Sequence, residues 1–185
     1  MMQAELARQQ DRFESLASEL EQRRDRIANA PGSIAVVDTN VLLHYQPPDH
    51  VPWPEIIGSS PVRLVVPLRV VEELDLKKWG DNDRLSARAR DLLPRLLKAL
   101  GPAGAPGGLR DDVTIEVPTP SRPRLRPADA DEEVLGTCDE LTALSGQDAV
   151  LVTGDASMTI RAQASGIKVK AMPERFSRKQ ATASE

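Results

Sequence analysis

Four acidic residues stand where a sheet-based fold would bring them to one place. Asp38 directly follows the apolar run Ile34–Val37, and Asp155 follows Ala149–Val152 after a Thr-Gly pair. Short all-apolar runs mark strands buried on both faces of a parallel sheet. Ligands of such sheets bind just beyond the C-terminal strand ends. Both carboxylates are therefore expected at one sheet edge, delivered by separate strands. Glu73 lies in a helix expected over Pro67–Trp79, which starts at the same edge after a strand over Arg63–Val66. Val70, Val71 and Leu74 mark its buried face. At about 100° per residue, Glu73 flanks that face beside Val70, whereas Glu72 points nearly opposite. Asp131 precedes Val134 and Leu135 by three and four residues, which puts it on the inward stripe in the first turn of a helix over Asp131–Ser145.

Oxygen-only ligands from Asp38, Glu73, Asp131 and Asp155 suit Mg²⁺ or Mn²⁺. Unpaired carboxylates at that density would repel one another without a cation. With one or two divalent ions they can activate water and stabilise a pentacoordinate phosphorus transition state. No protein nucleophile is needed. The chain has one cysteine, Cys138, and two histidines, His44 and His50, so a cysteine zinc cage and a histidine-rich metal site are excluded. It has no Gly-x-Ser-x-Gly.

Each acid also has a plain structural reading. Asp38 could open a turn before Asn40, and Asp155 could cap a helix. Asp129 is expected to cap the helix that carries Asp131, with Glu132 completing a capping box. Asp148 precedes its strand and belongs at the opposite edge. His44 and Cys138 sit on apolar stripes and read as packed side chains.

The elements that must position the acids are legible in outline. Val113–Val117 and Ile167–Ala171 alternate in polarity, as strands nearer a sheet edge do. Helices are expected over Asp83–Leu100, with a kink or break at Pro94, and over Ala156–Ser165, stopped by Gly166. Strands alternating with helices imply an α/β fold with a parallel sheet covered on both faces. Residues 1–30 read as one charged helix. Leu6, Phe13, Leu20 and Ile27 recur every seven residues, Leu16 joins their stripe, and Pro31-Gly32 ends it. Such a helix either lies on its own domain or forms a homodimer. Gly101–Gly108 (GPAGAPGG) reads as a flexible loop, and Pro118–Ala128 as an extended segment in which Arg122, Arg124 and Arg126 meet no acid. That segment precedes Asp131 and could hold phosphates. The expected division is a helical extension over 1–31, an α/β domain over 32–173 and a flexible polar tail over 174–185.

The chain has 185 residues, 28 acidic against 24 basic, and a net charge of −4. A uniformly basic nucleic-acid coat is excluded, though a local patch is not. The longest strongly apolar runs are four residues, too short for a membrane helix, and no apolar leader is evident. The expected location is the cytoplasm.

Ile34–Leu43 (IAVVDTNVLL), Val65–Lys77 (VVPLRVVEELDLK), Asp129–Leu135 (DADEEVL) and Val150–Asp155 (VLVTGD) resemble, in order, the four acidic motifs of the PIN domain family. The resemblance spans Ile34 to Met172. It implies a three-layer α/β/α sandwich around a parallel sheet, and Mg²⁺- or Mn²⁺-dependent cleavage of single-stranded RNA, often by toxins held by an antitoxin or by RNA-processing factors. It assigns Asp38, Glu73, Asp131 and Asp155 to the acidic positions, with Thr39, Asn40 and Thr153 orienting them. The family also contains members that cleave nothing, so a silent RNA- or protein-binding module is the first rival. An aspartyl phosphotransferase using Asp38 is the second, although Asn40 stands where that chemistry wants an aspartate.

Overall fold

The structure, a computed structural model, describes residues 2–102, 106–118 and 129–178. Arg122, Arg124 and Arg126 lie outside the described residues. After a long helix α1 (Met2–Asn29) the chain alternates strands and helices: β1 (Ser33–Val37), α2 (Thr39–His44), α3 (Trp53–Ile57), β2 (Val62–Val65), α4 (Leu68–Lys77), α5 (Asp83–Ala99), β3 (Gly107–Arg110), β4 (Val113–Glu116), α6 (Ala130–Ser145), β5 (Val150–Thr153), α7 (Ala156–Ala164) and β6 (Lys168–Ala171). One six-stranded sheet in the order β3-β4-β2-β1-β5-β6 forms the centre. All its pairings are parallel except β3 with β4. β1, β2 and β5 fill the core with fully buried Val, Leu and Ala, as two-sided burial requires. Helix α6 lies over β1 and β5, while α2, α4 and α5 pack together. Helices thus cover the sheet as an α/β sandwich demands. Among the described residues no helix is long and apolar enough to cross a membrane.

Three sequence expectations need correction. Gly107 and Gly108 are not loop but the start of β3, paired antiparallel with β4 as Gly107 to Ile115 and Gly108 to Thr114. A strand made of glycines has no polarity pattern to read. A Cβ at Gly107 would collide with the backbone of Ala99 and Gly101, so only glycine lets the strand pass this close to the end of α5. Pro94 does not break α5, which runs through it. Pro94 is on the solvent face, where water can satisfy the carbonyl it leaves without a donor. The C-terminal segment also stays packed through residue 178. Glu174–Phe176 forms a 3-10 turn, Ser177 bridges Tyr45, and the Arg178 backbone N–H donates to the His44 carbonyl at 3.0 Å.

The attachment of α1 rests on a charge hidden from the pattern. Arg63, inside the apolar β2 run, is 1% exposed. Its Nε donates to Glu116 Oε1 of β4 at 2.6 Å and its Nη1 to the Ile27 carbonyl of α1 at 2.8 Å. The guanidinium thereby satisfies one of the carbonyls that a helix end leaves without a partner and pins the last turn of α1 to the sheet. Arg63→Ala is expected to lower the unfolding free energy by about 3 kcal/mol or more, because Glu116 is left without its cation. Denaturant melts read the loss, and limited proteolysis should show α1 cut earlier than in wild type.

Candidate active site

The chain leaves β1 on one side for β2 and returns on the other side as β5. The crevice above these neighbours is the point where strand order reverses, the place at which open α/β sheets bind ligands. The register pairs Val37 with Val152. One residue further on, Asp38 comes alongside Thr153. The Thr153 hydroxyl donates to Asp38 Oδ2 and accepts from the Asp155 N–H at 2.9 Å. A single threonine thus joins the first and fourth acidic motifs. Asp38 also caps α2, its Oδ1 accepting from the Val41 N–H at 2.8 Å, and Asp155 caps α7, its Oδ1 accepting from the Ser157 N–H at 2.7 Å. Capping and site membership are therefore compatible, since each cap occupies one carboxylate oxygen. Between the two acids, Gly154 lies so close to the Tyr45 hydroxyl and to Asn40 that a Cβ would overlap both.

Asp38, Glu73, Asp131 and Asp155 line a single cavity of about 230 Å³ with Thr39, Asn40, Leu43, His44, Lys77 and Val134. Helix α4 brings Glu73 to within reach of Thr39, whose hydroxyl donates to Glu73 Oε2 at 2.5 Å. Asp131 Oδ2 accepts from Arg161 Nη1 at 2.8 Å, and Arg161 Nη2 reaches Asp129 Oδ2 at 3.0 Å. Asp129 caps α6 by accepting from the Asp131 N–H, as expected, and lies outside the cavity lining. The acids are thus not the unpaired cluster that their spacing suggested. Thr39, Thr153, Arg161 and helix N–H groups each hold one. Glu73 Oε1, Asp131 Oδ1 and Asp155 Oδ2 keep no hydrogen-bond partner among the described residues.

The electrostatics follow from this geometry. Burial pushes the Asp38 carboxyl up to about 6; the bonds from Thr153 and Val41 oppose that shift, and the charges of Asp155 and Asp131 add to it. Burial also raises the Asp131 carboxyl, against the pull of Arg161. Buried Cys138 has a thiol pushed up to about 12 and is inert packing on α6. The donor set fits a hard divalent cation in kind, being carboxylate and hydroxyl oxygen around a buried acid whose ionised form is disfavoured. Among the described residues, however, no three acidic, histidine or cysteine side chains meet closely enough to hold a metal ion.

Several residues near the site were not anticipated. Glu133, buried on α6, accepts from the Arg69 N–H at 3.2 Å and so ties the first turn of α4 to α6. This link relates Glu73 to Asp131. On the α2 side, Arg88 donates to the Leu43 carbonyl at 2.8 Å and Arg178 to the Tyr45 carbonyl at 2.7 Å. Burial, then the charges of Arg178 and Arg84, depress the Arg88 guanidinium. None of these three arginines has a salt-bridge partner among the described residues. Arg84 and Arg88 are one helical turn apart on α5, but Arg178 lies about 90 residues further on, so no local pattern could have joined it to them.

The fold and site together define an α/β protein with carboxylates gathered at the sheet's switch point. A PIN domain family model matches residues 35–172, and the chain belongs to the PIN domain family. Members of that family are generally nucleases, usually metal-dependent. Among solved structures, the chain is similar to "a domain of a functionally unknown protein from Methanocaldococcus jannaschii DSM 2661". The match has 16% identity, covers 77% of this chain and 92% of that one, and has a TM-score of 0.48. No curated protein matches.

The Asp38 shift carries a stability consequence for the metal-free protein. Its folded pKa of about 6 lies above the ordinary value of 3.8. The folded state therefore holds this proton more tightly than the unfolded state. Stability is fully present below about pH 4 and is lost as pH rises through about 6, by about 3 kcal/mol in total. Urea melts between these limits, in chelator, should show wild type losing that much relative to Asp38→Asn, whose profile lacks the step. Parallel profiles would mean that Asp38 ionises normally.

Proposed function

We propose that this protein is a metal-dependent ribonuclease that hydrolyses phosphodiester bonds of single-stranded RNA. The observation that carries this reading is the convergence of Asp38, Glu73, Asp131 and Asp155, from four separate elements, on one cavity at the switch point. Family membership supports it. Asp38 and Asp155 are the main metal ligands in this reading, and Glu73 and Asp131 complete the set directly or through water. When bound, Mg²⁺ or Mn²⁺ supplies an activated water and charge neutralisation at phosphorus. Thr153 and Thr39 hold Asp38 and Glu73 in orientation, as hydroxyl donors beside metal ligands do. Lys77 in the cavity wall and Arg84, Arg88 and Arg178 beside α2 offer cations to the phosphodiester backbone. Arg122, Arg124 and Arg126 are proposed to add to this track.

One observation favours a second reading, a silent RNA-binding module. Arg161 already neutralises Asp131, and the acids do not meet at a point suited to a metal.

Incubation of highly purified protein with end-labelled unstructured RNA separates the two. Cleavage is expected with Mn²⁺ or Mg²⁺ and not with chelator, and Asp38→Asn and Asp155→Asn should each slow it by roughly 100-fold or more. Binding without cleavage in either metal identifies the silent module. Cleavage that persists unchanged in Asp38→Asn assigns the activity elsewhere. Arg88→Gln should weaken RNA binding at low salt and flatten its salt dependence, because a phosphate contact and its released counterion are lost. Filter binding across a salt series measures it.

A further inference from the structure

Helix α1 is 28 residues long, about 42 Å at 1.5 Å per residue. Only its C-terminal end is held. Ile27 packs on the core, Arg23 pairs with Glu140 of α6 at 2.7 Å, and Arg63 takes the Ile27 carbonyl. The same sevenfold stripe continues N-terminally with nothing on it. Leu6 is 70% exposed, Phe13 69%, Leu16 47% and Leu20 59%. Lying along its own domain, the first of the two readings of this helix, is therefore not what residues 6–20 do. A narrow stripe of period seven is the seam of a two-helix coil rather than the broader face of a helix on a globular core.

The flank of that seam specifies its partner. If Leu6, Phe13, Leu20 and Ile27 are the a positions of the heptad, the residues just before them are the g positions. These are Glu5, Arg12, Glu19 and Arg26, with alternating charge. All four are exposed, and Arg12, Glu19 and Arg26 make no ion pair among the described residues. In an antiparallel pair the g residues face one another in reverse order. Arg12 then meets Glu19 of a second copy, a pair of opposite signs on each side of the centre, while Glu5 and Arg26, also opposite in sign, fall at the limit that the covered Arg23 and Ile27 set. Sliding by one heptad would set Glu5 against Glu19 and Arg12 against itself, which repel. In a parallel pair g faces the next e position, and the matches are Glu5 to Gln10, Arg12 to Ala17 and Glu19 to Arg24, with only one attractive combination. The antiparallel register also centres Phe13 on Leu16 of the other copy. It sends the two α/β domains to opposite ends, where the contacts already covering Arg23 and Ile27 bound the overlap.

We propose that this protein forms a homodimer through an antiparallel two-helix coil of α1, centred between Phe13 and Leu16 and set in register by Arg12–Glu19 pairs across the interface. The proposal goes beyond the catalytic reading and stands without it, since no site residue is on α1.

Charge reversal on the full-length chain tests it by sedimentation velocity over a concentration series. Wild type should dimerise. Arg12→Glu and Glu19→Arg, both at exposed positions, should each weaken the dimer by roughly tenfold or more, since each turns two attractive pairs into repulsive ones. The double variant should recover wild-type affinity. A mixture of the two single variants should form a heterodimer that neither forms with itself, because only antiparallel facing pairs residue 12 with residue 19. Unchanged thermal melts of the α/β domain establish that the variants are folded. A monomeric wild type overturns the proposal, as do single variants that dimerise normally or a double variant that is not rescued. Leu97 is exposed on α5 and lines an apolar groove with Val71 and Leu76 of α4; a dimer broken instead by Leu97→Glu would place the contact there and likewise overturns the proposal.

Discussion

The parallel register of β1 against β5 is the constraint on which the rest of the site depends. With Val37 beside Val152, the first residue past β1 and the last residue of β5 become neighbours. One of them is Asp38 and the other is Thr153. The threonine hydroxyl has one proton, and it accepts from the Asp155 backbone, so that proton is committed to Asp38. A slip of one residue would turn these side chains to the other face of the sheet. The acid is buried, and without the donors from Thr153 and Val41 its ionised form would be still less favourable.

The helices then decide how much negative charge the cavity presents. Glu133 ties α4 to α6 through the Arg69 N–H, which links the helices carrying Glu73 and Asp131. Arg161 of α7 reaches back to both Asp131 and Asp129. Positive charge therefore enters an acidic site from the helix that Asp155 itself begins. Part of the like-charge repulsion is relieved inside the chain, while Glu73, Asp131 and Asp155 each keep one oxygen without a hydrogen-bond partner among the described residues and each Asp38 oxygen, accepting one bond, keeps a second lone pair. On the α2 side, Arg84, Arg88 and Arg178 form no salt bridge among the described residues, although Asp91 lies near enough to act on Arg178, and they set a basic margin beside an acidic floor. This arrangement suits a polyanion whose reacting phosphate approaches carboxylates while its neighbours rest on cations.

Helix α1 obeys a different logic. Its attachment is short, made by Arg63, by the Arg23–Glu140 pair and by Ile27 packed on the core, and its exposed N-terminal half extends beyond these contacts. Arg63 of β2 and Glu116 of β4 are charges of opposite sign on neighbouring strands, and Arg63 takes a position that the apolar run of β2 would otherwise fill. A buried pair of this kind is strongly destabilising to break and contributes little when compared with well-packed hydrophobic residues. Its role here is geometric, fixing where α1 leaves the sheet.

The strands of the core were legible because two-sided burial writes itself as unbroken Val, Ile, Leu and Ala. The edge on which Asp38 and Asp155 lie follows from their position after such runs, and the helical phase that singles out Glu73 over Glu72 follows from the buried faces of Val70 and Leu74. The heptad stripe and the alternating charges of α1 are likewise local. Gly107–Arg110 escaped because glycine carries no side-chain periodicity, and Pro94 misled because its cost depends on which side of the helix faces water. Residues 174–178 looked like tail because their hold on Tyr45 and His44 is made by backbone groups and by one arginine side chain on a distant carbonyl, none of which leaves an apolar pattern in the sequence. What only the tertiary structure decided were encounters between distant segments: Thr153 beside Asp38, Arg161 on Asp131, Arg63 on Ile27, and Arg88 near Arg178. Pattern along a chain reports which face a residue occupies. It holds no information about which other face will be brought against it, and hydrogen bonds and ion pairs act only over that last few ångströms.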